Sequence, residues 1–492
     1  MPDRLATRIW ARDASLWPPG EDDPAARLGW LDLPTAMQGE IGAFRSFASE
    51  AADFEHVVLL GMGGSSLAPE VFARVLGAAE GRPPLTVLDS THPDQVRDAT
   101  DRLDLRRTLF VVSSKSGTTV ETMSLFRYFR RSCRPERFVA ITDPGTPLER
   151  LAREEGFRAV FTAPPDVGGR YSALSPFGLV PAALLGVDLD DLLERTRGMA
   201  ELCRYEGPLN PGLELAAFMG SNAAAGRDKL TVVASDALQP VGDWIDQLVA
   251  ESTGKNGRGV VPVVAEPDMA PAAYGSDRAF VFLRLAGDET HAGLSAALEA
   301  EGHPVITIEV PDAAAVGAEM FRWEFATAAA CSVIGVNAFD QPDVESAKRA
   351  ARSALDDAPE PWPETHPGEP FASAAAGDLA CILLFAPAGE ERAALVAEAR
   401  ARVAADRGVA TSAGFGPRYL HSTGQLHKGG PPGVRALIVL DPPEADLPIP
   451  GEDHGFARLV TAQAEGDARA LKQAGRAVSR TTWRAFEEWV RG

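Results

Sequence analysis

Leu109-Phe-Val-Val-Ser-Ser-Lys-Ser-Gly-Thr-Thr-Val-Glu-Thr122 is the stretch on which the reading of the fold turns. Residues 109–112 are apolar with no polar alternation, the pattern of a strand buried on both faces of a parallel sheet. Ser113 to Thr119 then place five hydroxyls within seven residues. A helical pattern follows, with Met123, Leu125, Phe126 and Phe129 as its apolar positions. Strand, hydroxyl-rich turn and helix in this order suit an anion. Backbone N–H groups and hydroxyls point into the turn, and the helix N-terminus adds positive potential. A helix cap needs only one Ser or Thr, so the excess points to a bound phosphate.

The same pattern recurs upstream. His56-Val-Val-Leu-Leu60 reads as a buried strand entering Gly61-Met-Gly-Gly-Ser65. A dinucleotide fingerprint would carry a third glycine where Ser66 stands, so that reading fails. Glycines here let the backbone approach a ligand that Ser65 can reach. Short apolar runs at 85–88, 138–141 and 159–161 alternate with helical stretches, which predicts a doubly wound parallel sheet with ligands outside its carboxyl edge. A second set of runs at 230–234, 280–285, 305–310, 380–385 and 436–440 predicts a second parallel sheet. The expected organisation is a helical arm over 1–50, α/β domains over 51–200 and 201–445, and a helical segment over 446–492. Trp10, Trp17 and Trp30 would anchor the arm, which shows no chemistry of its own.

Composition narrows the partners. The 492 residues carry a net charge of −21, which disfavours nucleic acid and anionic membrane surfaces. No apolar run reaches the ~18 residues of a membrane span. The four cysteines form no C-x-x-C pair, as expected of core thiols in a reduced, cytoplasmic protein.

Three further segments hold candidate chemistry. In Asp166-Val-Gly-Gly-Arg170, the arginine after paired glycines is either solvated on a tight turn or aimed at developing negative charge. In Glu251-Ser-Thr-Gly-Lys255 the acid ends an apolar helix, as a lysine-paired carboxylate or as a general base; spacing allows both. Tyr419 to Gly430 contains two of the eight histidines, His421 and His427. Six residues apart, they do not share a helix face, so a proton carrier is expected there rather than a metal pair.

Together with Phe339-Asp-Gln341 through Lys348, these motifs resemble the glucose-6-phosphate isomerase family over about residues 55–445. The resemblance implies two tandem sugar-isomerase (SIS-type) α/β domains with helical N- and C-terminal extensions. It also implies glucose 6-phosphate to fructose 6-phosphate isomerisation in glycolysis and gluconeogenesis, with no cofactor and no metal. Ser114, Lys115, Ser116 and Thr119 then match the phosphate-holding residues, with Gly64, Ser65 and Gly169 beside the substrate. Arg170 matches the arginine at the enediolate, Glu251 the general base, and Gln341 with Lys348 a polar pair at the substrate, the lysine helping to open the ring. The family's histidine segment normally follows the glutamate motif soon after. Here that stretch is Ala272 to Arg278, without histidine, and Leu420-His-Ser-Thr-Gly-Gln425 resembles the missing piece. This permuted order is similar to the isomerase half of transaldolase–isomerase fusions, and ring opening falls to His421, with His427 as the alternative. In the family this histidine crosses a dimer interface, so the resemblance implies a homodimer. Alternatives are an isomerase that also accepts mannose 6-phosphate and a non-catalytic sugar-phosphate-binding regulator.

Overall fold

A computed structural model describes residues 2–357 and 361–492, with the backbone alone at 344–348. The strands are β1 (His56–Gly61), β2 (Leu85–Leu88), β3 (Thr108–Ser113), β4 (Phe138–Thr142), β5 (Ala159–Thr162), β6 (Lys229–Ala234), β7 (Val261–Val264), β8 (Arg278–Leu285), β9 (Val305–Val310), β10 (Leu379–Phe385), β11 (Ala410–Phe415), β12 (Val434–Leu440) and β13 (Ala477–Thr482). They form three sheets in the orders β2-β1-β3-β4-β5, β7-β6-β8-β9 and β11-β10-β12-β13. All pairings within these sheets are parallel. Each sheet therefore reverses direction between its first and third strands, and the crevice at that switch point is where such folds take ligands. Leu60 pairs with Val112 and Gly61 with Ser113. The glycine loop and the hydroxyl turn thus leave the first sheet side by side.

The parallel α/β architecture is as the sequence reads. The division of the later strands is not, because the runs after residue 228 split between two sheets. The helices Val316–Ile334 and Pro342–Asp356 intervene between β9 and β10. Charged side chains also stand between the facing edges. Glu266, just after β7, accepts both Arg278 Nη1 (2.8 Å) and Arg278 Nη2 (2.9 Å). It takes the Thr411 backbone N–H of β11 as well, at 2.8 Å. Arg400 caps the opposite groups, donating to Val264 O and Ala265 O at 3.0 and 2.6 Å. An edge whose donors and acceptors are taken by side chains does not extend its ladder. Both β7 and β11 escape a periodicity reading, the first for its brevity and proline, the second for its polar Thr411-Ser412. The segment 446–492 is likewise not wholly helical. β13 lies between the helices Phe456–Gln473 and Trp483–Arg491. This half-exposed edge strand offers little continuous apolar run.

The third sheet docks onto the first through its own switch point. Arg392 pairs with Asp441 at 2.7 Å across the ends of β10 and β12. The Asp441 carbonyl lies 2.9 Å from His92 Nε2, and Gln95 accepts the Ala388 N–H at 3.1 Å. The arm packs as its tryptophans suggest. Trp30 is fully buried and stacks on Tyr171 with centroids 5.2 Å apart. Trp17 Nε1 donates to Ala328 O at 2.9 Å.

The helix Val316–Ile334 carries an unusual group. Glu324 is fully buried, and among the described residues neither of its carboxyl oxygens has a hydrogen-bond partner. Burial holds its pKa well above the ordinary carboxyl value. The unfolded chain releases this proton above about pH 4.3, whereas the folded chain keeps it, so stability falls as pH rises towards the raised folded pKa. Glu324→Leu is expected to raise the unfolding midpoint, by a margin that widens at up to about 1.4 kcal/mol per pH unit. Thermal melts of both proteins across that range check this; a pH-independent margin would place a charge at residue 324.

Candidate active site

The hydroxyl turn takes its shape from one glycine. Gly117 has φ +67°, and a Cβ there would meet the Leu148 backbone nitrogen at 2.8 Å. Ser114 is buried and bonds Thr119, Oγ to Oγ1, at 2.9 Å; Ser116 and Thr118 pair similarly at 3.0 Å. Thr119 occupies the N-cap position of the helix Val120–Arg130, yet its side chain makes no capping hydrogen bond. The hydroxyls are thus not consumed by capping, and the helix N-terminus keeps its electrostatic appeal for an anion. Lys115 pairs with Asp143 beside the turn.

The two glycine loops need each other. A Cβ on Gly64 would lie 2.0 Å from the carbonyl oxygen of Gly169. That crossing leaves no room for any side chain, and it brings Ser65 and Arg170 to one crevice. Arg170 is buried and fixed on four sides. Nε donates to Ser252 Oγ at 2.9 Å, Nη2 donates to Ala338 O and Asp340 O at 2.6 and 3.1 Å, and Nη1 faces Glu251 Oε1 at 3.0 Å. The lysine-paired reading of Glu251 therefore falls. Lys255 instead bonds Asn337 O and Asp340 Oδ1, the latter at 2.9 Å, and burial lowers its pKa to about 8.

Glu251 ends a buried helix, Gln239–Thr253, one turn after Gln247. Gln247 Nε2 donates to Glu251 Oε2 at 3.0 Å and to the His421 carbonyl at 2.8 Å. Glu251 and the histidine segment are thereby tied to one amide. His421 reaches this point from the loop after β11. Arg418 holds that loop down through Asp89 at 2.8 Å and through Glu70. The imidazole Nε2 of His421 lies 3.0 Å from Glu121 Oε1, which also accepts Gln463 Nε2 at 2.8 Å; Gln463 in turn accepts Thr91 Oγ1 at 2.6 Å. His427 is fully enclosed instead, and burial beside Lys428 pushes its pKa down to about 3. Gln425 locks the loop by donating to Gly254 O at 3.0 Å and to Asp343 Oδ2 at 2.6 Å.

A cavity of about 520 Å³ joins these pieces, within the usual range for small-ligand sites. Ser65, Lys115, Ser116 and Thr119 line one end. Arg170, Glu251 and His421 line it further on, with Gly64, Gly169 and Gln341 in its walls. Ser114 supports the turn from behind. Lys348 falls in the helix Pro342–Asp356, and its side chain lies outside the described residues. Gln247 carries no sequence signal; Glu121 lies within the hydroxyl motif and Gln463 within a family-like Ala462-Gln463-Ala464 run, but neither shows a role until the fold brings His421 to Glu121.

Parallel sheets of this strand order, with the cavity at a switch point, form an SIS-type α/β fold. The phosphoglucose isomerase family model matches residues 39–275, and the chain belongs to that family. A Haloarcula marismortui protein named a probable glucose-6-phosphate isomerase is 31% identical over 67% of this chain and 84% of its own length. The glucose-6-phosphate isomerase of Rubrobacter xylanophilus is 32% identical over 67% of this chain and 88% of its own. A solved hypothetical protein from Thermus thermophilus superposes with TM-score 0.63 at 28% identity, covering 72% of this chain and 94% of that one. A solved glucose-6-phosphate isomerase from Chlamydia trachomatis gives 0.55 at 21% identity, covering 72% and 78%. The matched residues of the family model stop before His421. No helix among the described residues is long and apolar enough to cross a membrane.

Proposed function

We propose that the chain interconverts glucose 6-phosphate and fructose 6-phosphate through ring opening and an enediolate. The observation that carries this reading is the convergence of Glu251, Arg170 and His421 on one cavity beside the hydroxyl turn. The turn, with Ser65 and Lys115, anchors the phosphate, so that remote binding energy orients the reacting carbons. His421, steadied by Glu121, moves a proton at the ring oxygen, with Lys348 assisting. Glu251 then carries a proton between C2 and C1. Arg170 faces a carboxylate before that transfer and the enediolate after it. The fixed cation thus always has an anion to meet, with no reorganisation of the site. A coupled assay for fructose 6-phosphate conversion by the purified protein tests the reading; no turnover would overturn it.

The resemblance implies a homodimer through a histidine supplied across an interface, but His421 reaches Glu251's cavity within one chain. Mixing Glu251→Gln with His421→Ala protein is therefore expected to restore no activity beyond the sum of the two. Recovery well above that sum, in the same assay, would mean the histidine comes from a second copy.

A further inference from the structure

The arm does more than pack. Residues 18–27, Pro-Pro-Gly-Glu-Asp-Asp-Pro-Ala-Ala-Arg, run as a strap across the cavity between two buried anchors, Trp17 and Leu28. Behind Leu28 an antiparallel bridge joins it to Val167, and the Gly29 N–H donates to Asp166 O at 3.1 Å. Midway, Asn337 Nδ2 donates to Asp22 O at 3.1 Å. Two charged side chains of the strap, Asp22 and Arg27, line the cavity with Lys115 and Ser116.

Arg27 is not what holds the strap in place. Its guanidinium pairs with Asp22 Oδ1 through Nη2 at 2.7 Å and Nε at 3.2 Å. That partner lies on the same strap, so the pair ties it to nothing else. The body of the protein offers the guanidinium Pro165 O, at 3.3 Å. Both side chains are about one-third exposed, at 30% and 34%, where an ion pair adds little stability. Lys115 in the same lining pairs with Asp143, and the positive charge of Arg27 also acts on Asp143. The cavity lining thus holds two cations, each facing a carboxylate, and of the two carboxylates Asp22 is the more exposed. An entering phosphate dianion carries twice the charge of a carboxylate and offers pairs of oxygens to the planar guanidinium fork, so it is the better partner.

Building on the sugar-phosphate reading, we propose that Arg27 is a phosphate-binding residue, a second cation beside Lys115 that exchanges Asp22 for the anionic end of the substrate. The strap is then part of the substrate site.

Titration calorimetry with inorganic phosphate, together with fructose 6-phosphate kinetics, tests this on the full chain. Arg27→Met is expected to weaken phosphate binding and raise KM at least about tenfold, with kcat within about threefold, and Arg27→Lys to recover part of the loss. Asp22→Asn removes the competing carboxylate and keeps the backbone bond to Asn337, so it should tighten phosphate binding. A strap that serves only as packing predicts the same direction for both variants. Unchanged phosphate binding in Arg27→Met, or weakening in Asp22→Asn, would overturn the proposal. An inactive wild type that still binds phosphate through Arg27 would overturn the isomerase reading alone, and a wild type that binds no phosphate would overturn both.

Discussion

Glu251→Gln is expected to cut fructose 6-phosphate turnover at least about 100-fold, the lower range for a lost general base, and to leave phosphate affinity within about threefold. The substitution isolates the proton-carrying step because the amide keeps the shape and most of the contacts. Its oxygen still accepts from Gln247 or Arg170, and Arg170 retains Ser252 Oγ, Ala338 O and Asp340 O. The buried guanidinium is therefore not stranded, and the protein should fold. Steady-state kinetics with calorimetric phosphate binding on the same preparation checks both halves. Near-normal turnover would remove Glu251 from the role.

His421→Ala should separate two substrates instead of two steps. Closed-ring sugar phosphate is expected to slow at least about 100-fold, while an acyclic substrate, which needs no ring opening, slows by less than about threefold. Equal losses on both would move ring opening to another group. His427 is a poor heir, because its low pKa of about 3 keeps it neutral at working pH and it is sealed from the cavity. Glu121→Gln should reproduce part of the His421→Ala defect, since the amide still contacts the ring without a charge to favour an imidazolium.

What is legible in the sequence follows from how local each signal is. The buried strand at 109–112, the excess of hydroxyls after it and the glycine loop at 61–65 are contiguous, and the structure sets them side by side. The crossing of Gly64 with Gly169 joins two loops that spacing cannot relate. Glu121, Gln247 and Gln463 are ordinary residues on helices, and they matter because the fold carries His421 from the third sheet to the first. The strap escapes a sequence reading for a related reason. Its anchors are apolar and legible as packing, whereas Asp22 and Arg27 look like surface charges until the cavity beneath them is seen. The sheet division is hidden because continuous apolar runs announce a buried strand without saying which neighbour it has. Glu266 and Arg400, which keep the two edges apart, lie 134 positions from each other.

The strand order common to all three sheets has a consequence for how the chain uses its modules. In the first, the crevice between the leading and third strands stays open and opens onto the cavity that Glu251, Arg170 and His421 line. In the last, the equivalent crevice is stoppered by Arg392 and Asp441 and by the His92–Gln95 turn of its neighbour. A place built to welcome a guest molecule has there become a socket for the protein itself. The module that brings the histidine is held at the very notch where a sheet of this order would take a ligand.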